Sequence, residues 1–99
     1  MHSREIRRIL DTGRPARGER VIVFLVPGAD RVAVIAGKRV GGAVQRNRAR
    51  RVLREAWRRV EQTATDSDAV LVARAPIVGA KSQDLVSEMT ELLEGTKRR

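Results

Sequence analysis

The sequence has 99 residues, 41% of them hydrophobic and 33% charged, which suits one folded domain with a modest core and excludes a disordered polyelectrolyte. It contains no cysteine, which excludes disulfide frameworks and thiolate metal sites, and its apolar runs are too short to cross a membrane. Lys and Arg number 21 against 12 Asp and Glu, and the net charge of +9 makes nucleic acid the first partner to consider.

The amino-terminal segment predicts a short helix. Ile6, Ile9 and Leu10 fall on one face at spacings of three and four. Ser3 is placed to cap this helix and Gly13 is placed to end it. The segment is too rich in charge for a secretory signal peptide, so we expect a soluble protein of the reducing cytoplasm, without a membrane partner.

Two strands are predicted next, after a loop at residues 14–19. Residues 21–26 form a continuous, largely β-branched apolar run that is typical of a buried strand. Phe24 lies on one face of this strand, where it either packs in the core or stacks on a nucleotide. A Pro-Gly-Ala-Asp turn at 27–30 leads to a second strand at 31–36, and the two strands are expected to pair as an antiparallel hairpin.

The clearest helix pattern begins at Ala43, directly after Gly41 and Gly42. Apolar residues recur at i, i+3, i+4, i+7, i+8 and i+11, namely Ala49, Val52, Leu53, Ala56, Trp57 and Val60. Trp57 lies on this stripe and is interpreted as a core residue rather than a platform for stacking a base. The glycine pair has two interpretations, a simple turn or a close backbone approach to a phosphate at the helix amino terminus.

The last third of the chain predicts a polar loop at 61–68, a strand at 69–73 and a final helix. Pro76 ends the strand, and Gly95 is expected to close the helix and to leave a frayed tail at 95–99. The order of elements indicates an α+β fold, in which helices pack on a small mixed sheet of about four strands.

The excess positive charge is concentrated in residues 31–59. This segment holds ten basic residues and one acid, whereas the rest of the chain is neutral by the same count. Arginines spaced four apart form one ridge on the predicted helix, namely Arg46, Arg50, Arg54 and Arg58, with Arg48 and Arg51 beside them. Like charges at this spacing destabilise an isolated helix by about 0.2–0.5 kcal/mol per pair, and a polyphosphate backbone would compensate for that repulsion.

The choice of arginine favours structured RNA as the partner. The guanidinium fork bonds phosphate bidentately and stacks on exposed bases, whereas lysine offers a point charge. The alternative is a solvated helix face, but such a face would intersperse acids among the arginines. Asn47 either contacts a phosphate or a base, or is an ordinary surface residue.

No catalytic residue or metal site is predicted in the protein. Hydrolysis of a phosphodiester by protein groups needs clustered carboxylates with a metal, or an acid and base pair. The chain has one histidine, at position 2, and no tyrosine, and we interpret Asp66 and Asp68 as turn residues rather than metal ligands. The protein therefore reads as a binding module, whose reaction, if any, is carried out by another component.

Residues 37–54, GKRVGGAVQRNRARRVLR, closely resemble the signature of the bacterial ribonuclease P protein component. In that family a lysine, a glycine pair, Ala-Val and then Arg-Asn-Arg lead into a basic helix. The residues in register are Lys38, Gly41, Ala43, Val44, Arg46, Asn47, Arg48, Arg50, Arg51 and Arg54. The resemblance extends over nearly the whole chain, and it implies a single domain at 1–99 with the order α-β-β-β-α-β-α and a left-handed β-α-β crossover.

The resemblance also implies a function. A family member is a subunit of an endoribonuclease in which a catalytic RNA, with magnesium, removes the 5′ leader of precursor tRNA. The RNA-binding residues would be Lys38, Arg39, Arg46, Asn47, Arg48, Arg50, Arg51, Arg54 and Arg58. The leader-binding cleft would be formed by Ile6, Arg7, Leu10 and Phe24, where the family usually carries aromatic residues on the first helix. The expected partners are the catalytic RNA, in a one-to-one complex with a protein monomer, and precursor tRNA; the protein itself would bind no cofactor.

Three alternatives remain open from the residues alone. A ribosomal protein would share the size, the charge and the arginine-rich helix, and only the register of the signature separates it. A DNA-binding protein would need a helix-turn-helix partner for the basic helix. A protein-only nuclease would need the acid and base groups that the sequence lacks.

Overall fold

Three helices and four strands follow one another in the computed structural model, which describes residues 1–97. Their bounds are α1 Ser3–Thr12, β1 Arg14–Arg17, β2 Val21–Pro27, β3 Val32–Ile35, α2 Ala43–Val60, β4 Ser67–Ala73 and α3 Ser82–Lys97. Short 3₁₀ turns occupy Lys38–Val40, Glu61–Ala64 and Ala75–Ile77. The predicted α+β class and the order α-β-β-β-α-β-α are confirmed. None of the helices described in residues 1–97 is both long and apolar enough to span a membrane.

The four strands form one mixed sheet in the order β1-β2-β4-β3. Strand β2 is antiparallel to both β1 and β4, whereas β3 is parallel to β4. The predicted hairpin between β2 and β3 is therefore wrong, because β4 lies between them. The physical reason is burial: β4 has buried side chains on both faces, which requires a central position in the sheet.

Strands β3 and β4 are joined through α2. This is a crossover connection between neighbouring parallel strands. Its left-handedness, which the resemblance implies, stays a prediction.

Residues 14–17 form the edge strand β1 rather than part of the predicted loop. The strand is short and mostly exposed, so it carries no apolar pattern that would have revealed it. Pro15, which lies opposite Phe24, is compatible with an edge position, since its missing N–H is not required by a second neighbour.

The sheet carries helices on both faces. Side chains alternate along a strand, so one face presents Val21 and Val23 of β2 with Leu71 of β4 to the core formed with α2 and α3. That core contains Trp57, which is 5% exposed, so its predicted core role is confirmed. The opposite face presents Val70, which is fully buried, and α1, whose Ile9 is also fully buried, contacts β2 and β4. The chain thus forms three layers, with α1 alone on one side of the sheet.

Two predicted helix ends are corrected. Ser3 is the first residue of α1 rather than its cap, and His2 precedes it without a side-chain capping bond. Helix α1 does end before Gly13, as predicted. Helix α3 continues through Gly95 to Lys97, so Gly95 does not close it. Of the tail predicted at 95–99, residues 95–97 belong to α3, and 98–99 lie outside the described residues.

The two aspartates of the predicted polar loop have different roles. Asp66 is a turn residue, with a φ of 60°, and its N–H donates to Asp30 Oδ1. Asp68 is 1% exposed within β4, and its Oδ1 accepts the backbone N–H groups of Ala29 and Arg31, each at 3.0 Å. The interpretation as turn residues is right for Asp66 and wrong for Asp68, which anchors the 28–31 turn from the neighbouring strand.

Candidate nucleic-acid interface

The polar side of α2 forms a basic surface, which we call the arginine ridge and define as Arg46, Arg50, Arg54 and Arg58. The buried residues of this helix are all apolar and lie on the predicted stripe. Arg54 and Arg58 are exposed, as are the neighbouring Arg48 and Arg51. The register of the sequence pattern therefore places the arginines on the solvent side of α2, as predicted.

Arg46 and Arg50 depart from full exposure. Both are half-buried, because they border the apolar stripe and their aliphatic stems cover part of it. Nε of Arg46 is shielded from solvent and has no hydrogen-bond partner within residues 1–97. Arg50 Nη2 donates to Oδ1 of Asn47, so the predicted RNA-binding asparagine is oriented by the ridge. Arg46 is therefore only partly available to a partner.

The charge of the ridge is not neutralised within the protein. In the part of the chain that the structure describes, no carboxylate lies within ion-pair distance of the four ridge arginines, nor of Arg48 or Arg51. On the other edge of α2 an arginine is paired. Arg59 Nη2 lies 3.7 Å from Glu55 Oε1, and Arg59 Nη1 donates to Gln83 Oε1 of α3 at 3.4 Å. The four ridge arginines thus lie on the other edge of α2 from Glu55 and Arg59, which contact α3.

The segment before α2 presents two more basic residues. Lys38 and Arg39 are exposed on a 3₁₀ turn, which Val40 anchors in the core. Gly41 has a φ of 136°, a conformation that side chains rarely adopt, so the backbone requires glycine at this position, and the approach of a phosphate to the glycine pair stays a prediction. Gly42 precedes the helix without a side-chain capping bond, and no acid lies in the first turn of α2. Lys38, Arg39 and the first turn of α2 therefore extend the basic surface.

A second candidate surface lies on the opposite face of the sheet. Ile6, Arg7 and Leu10 line a depression on one side of α1, together with Ser3 and Arg4. Ile6 and Leu10 are half-buried and Arg7 is exposed. We refer to this depression and the adjoining sheet face as the α1 cleft.

Phe24 does not line the depression itself. It is half-buried on β2, opposite Val70 of β4, and therefore lies on the sheet face that α1 covers. The same alternation places five further half-buried apolar residues on this face, namely Ile22, Val26, Ala33, Ile35 and Val72. Sequence reasoning missed these five. Even spacing from Phe24 in β2 and from Val70 in β4 is the signal for Ile22, Val26 and Val72, whereas Ala33 and Ile35 of β3 require the strand register.

The comparison with protein families decides between the alternatives. The model of the ribonuclease P family, described as Ribonuclease P, matches residues 1–97. This chain belongs to the ribonuclease P protein family. A ribonuclease P protein takes part in tRNA processing as the protein component of an endoribonuclease that is a ribonucleoprotein.

Curated relatives agree with this assignment. The ribonuclease P protein component of a Nitratiruptor species is 39% identical over 79 residues, which cover 79% of this chain and 72% of the relative. That of Chloroflexus aurantiacus is 36% identical over 94 residues, which cover 90% of this chain and 70% of the relative.

Solved structures share the fold at lower identity. The Staphylococcus aureus ribonuclease P protein superposes with a TM-score of 0.80 at 20% identity, over 98% of this chain and 93% of its own. The Thermotoga maritima protein superposes with a TM-score of 0.79 at 20% identity, over 91% of this chain and 89% of its own.

The helix-turn-helix alternative is contradicted by the position of the basic helix. In this ribonuclease P protein α2 connects β3 to β4 and packs against α3, so it has no preceding helix of the kind that a helix-turn-helix motif requires. The ribosomal alternative is overturned by the family match.

Proposed function

We propose that this protein binds the catalytic RNA of ribonuclease P through the arginine ridge and its neighbours, and binds the 5′ leader of precursor tRNA in the α1 cleft. The observation that carries the proposal is the coincidence of two features in residues 37–54. This segment holds the family signature, and it also holds the largest concentration of unpaired positive charge within the described residues.

The arginine ridge suits an RNA backbone in both charge and geometry. An α-helix rises 1.5 Å per residue, so the four ridge arginines extend along about 18 Å of helix, a length that contacts several phosphates. Each guanidinium can donate two parallel hydrogen bonds to one phosphate. Three acids of α3 line a depression with residues 17–20 and not with the ridge, namely Asp84, Glu88 and Glu91. This asymmetry supports binding of the RNA from the α2 side.

The α1 cleft suits a single strand whose bases are exposed. Its half-buried aliphatic and aromatic side chains offer apolar contacts to bases, and Arg7 at the edge offers a charge for a phosphate. Ile6 and Leu10 replace the aromatic residues usual in the family, so stacking is available at Phe24 and van der Waals contact at the other two positions. We infer that the leader binds here with little preference for its base sequence.

The reaction itself is assigned to the RNA. Within residues 1–97 no three His, Cys, Asp or Glu side chains come together as a metal site, and the single histidine is exposed at position 2. The protein residues therefore do not fit a magnesium centre, and we assign magnesium to the partner RNA. We further propose that the protein acts as a monomer in a one-to-one complex with that RNA in the cytoplasm.

Replacing Phe24 with leucine tests the cleft. Phe24→Leu keeps an apolar side chain but removes the stacking surface, so we expect the holoenzyme to bind precursor tRNA about tenfold more weakly, or about 1.4 kcal/mol, within the roughly 1–3 kcal/mol expected per stacked base. Affinity for mature tRNA, which has no leader, should not change. The measurement is equilibrium binding of both RNAs to the reconstituted holoenzyme.

Val32→Ala is the matched control, because it removes an exposed apolar side chain from β3 outside the cleft. Two results would contradict leader binding in the α1 cleft. One is an equal loss of affinity for precursor tRNA in Phe24→Leu and Val32→Ala. The other is a loss in Phe24→Leu that is as large for mature tRNA as for precursor tRNA.

A further inference from the structure

Helix α1 is held against the sheet by few contacts. Ile9 is its one fully buried residue. The carboxyl end of α1 is fixed at Gly13, whose N–H donates to Ile9 O at 2.7 Å. A side chain at Gly13 would place its Cβ 2.6 Å from that oxygen, which is too close. The amino-terminal end depends on a different kind of contact, an ion pair between Glu5 and Arg31.

Arg31 bridges two carboxylates from different elements. Its Nη1 lies 2.5 Å from Glu5 Oε2 of α1, and its Nη2 lies 2.8 Å from Asp68 Oδ2 of β4. Its Nε also donates to Asp68 Oδ1 at 3.3 Å, and its backbone N–H donates to the same oxygen at 3.0 Å. Asp68 of the sheet therefore holds the guanidinium at Nε and Nη2, and the remaining nitrogen, Nη1, contacts Glu5 of α1.

We propose that Arg31 is a positioning residue for the α1 cleft, which holds the amino-terminal end of α1 through Glu5 and so sets the separation between α1 and the sheet. This inference rests on the proposed function, because the cleft is the surface assigned to the leader. Arg31 lies in the segment with excess positive charge, yet its charge is used inside the protein rather than for RNA.

The surroundings of one Glu5 oxygen explain why this ion pair matters. Although 32% of the Glu5 side chain is exposed, its Oε2 is shielded from solvent and accepts no hydrogen bond within the described residues, so its ion-pair contact with Arg31 is what balances its charge. If Arg31 no longer reaches it, a buried carboxylate oxygen is left without a partner, and α1 gains by moving outward until that oxygen is hydrated. Ile6, which lines the cleft, is the next residue along the helix, so this movement changes the cleft directly.

Two substitutions separate positioning from simple electrostatics. Glu5→Gln removes a negative charge. If only long-range electrostatics mattered, this change would strengthen RNA binding, because the protein would repel the phosphates less. Arg31→Lys keeps the positive charge but loses the planar fork that spans two carboxylates. We expect both variants to weaken binding of leader-bearing precursor tRNA by about threefold to tenfold, as for loss of one member of a coupled network.

The control is Asp11→Asn, which removes the same charge from an exposed position of α1. It should leave affinity for the precursor unchanged. Glu5→Gln and Arg31→Lys should keep the affinity for mature tRNA and for the catalytic RNA. In the free protein, the methyl resonances of Ile6 and Leu10 should shift in both variants and not in the control.

Three results would overturn the inference. One is unchanged leader affinity in both folded variants. Another is an equal loss for precursor and mature tRNA, which would show a general structural role. The third is that the methyl resonances of Ile6 and Leu10 do not shift in the variants, because these resonances report the position of α1 in the absence of RNA. A different outcome separates this inference from the proposed function. If the methyl resonances shift but the wild-type holoenzyme binds precursor and mature tRNA equally well, Arg31 positions α1 but the cleft does not bind the leader.

Discussion

Replacing Arg48, Arg51 and Arg54 together with alanine is expected to lower the affinity of the protein for ribonuclease P RNA by about a hundredfold or more, without unfolding it. All three side chains are exposed and have no carboxylate partner within the described residues, so the fold does not depend on their charge. Each charge-assisted bond to a phosphate contributes about 1.5–3 kcal/mol, and 1.4 kcal/mol is tenfold in affinity. Arg46 is left unchanged because it is half-buried against the apolar stripe.

The measurement is equilibrium binding to the RNA across a series of salt concentrations. The logarithm of affinity should fall linearly with the logarithm of salt for the wild type, and the slope should become shallower by about 0.7–0.9 for each phosphate that the variant no longer neutralises. The matched control replaces Arg8, Arg14 and Arg59 with alanine, three exposed arginines that are not among the predicted RNA-binding residues. An equal loss of affinity in this control would show that total charge matters rather than the position of the arginines on α2.

The second large effect is expected on stability, from Asp68→Asn. Hydrogen bonds from the Arg31 guanidinium lower the pKa of Asp68 from 3.8 to about 2, against the opposing effect of burial and with help from the amides of Arg31 and Ala29. The folded state therefore favours the charged carboxylate. We expect the substitution to reduce the free energy of unfolding at pH 7 by about 2 kcal/mol, because it weakens a buried, charged acceptor.

The pH dependence of this effect has a definite sign. Because the folded-state pKa is depressed, the stabilisation is fully present above the unfolded value near 3.8 and is lost as the pH falls through about 2. Urea unfolding at pH 7, 4 and 2.5 should therefore show a difference in the free energy of unfolding between wild type and Asp68→Asn, and this gap should narrow below pH 4. Asp66→Asn is the control, since asparagine tolerates the positive φ of that exposed turn. A gap that does not vary with pH would contradict the assigned role of the carboxylate.

Local periodicity was sufficient to predict the helices. The apolar stripe of α2 is long and regular, so Trp57 and the arginines were assigned to the correct sides. Strand pairing was not predictable in the same way, because it depends on contacts between distant segments. The turn at 27–30 predicts a hairpin, but β4, which has buried side chains on both faces, occupies the position between β2 and β3. Strand β1 was missed because RPAR has no strand pattern of its own.

The candidate site divides in a similar way. The arginine ridge follows from spacing within one helix, whereas the α1 cleft joins elements that the sequence does not relate. Ile6, Leu10 and Phe24 came from the family resemblance, and the sheet residues beside them required the strand register. The link from Glu5 through Arg31 to Asp68 spans 63 positions of the chain, and no local pattern predicts it. Arg31 belongs to the basic segment 31–59 by composition, whereas its guanidinium contacts Glu5 and Asp68.

The central claim is that this protein supports RNA-catalysed removal of the leader, and one measurement tests it most directly. A bacterial ribonuclease P RNA cleaves a precursor tRNA at low magnesium with and without the protein, and the cleavage site is mapped. We predict that the protein stimulates cleavage at the mature 5′ end, and that the variant lacking Arg48, Arg51 and Arg54 stimulates it only at much higher protein concentration. Tight binding of the wild-type protein to its cognate RNA without any stimulation would contradict the proposed function and leave an RNA-binding protein with another role.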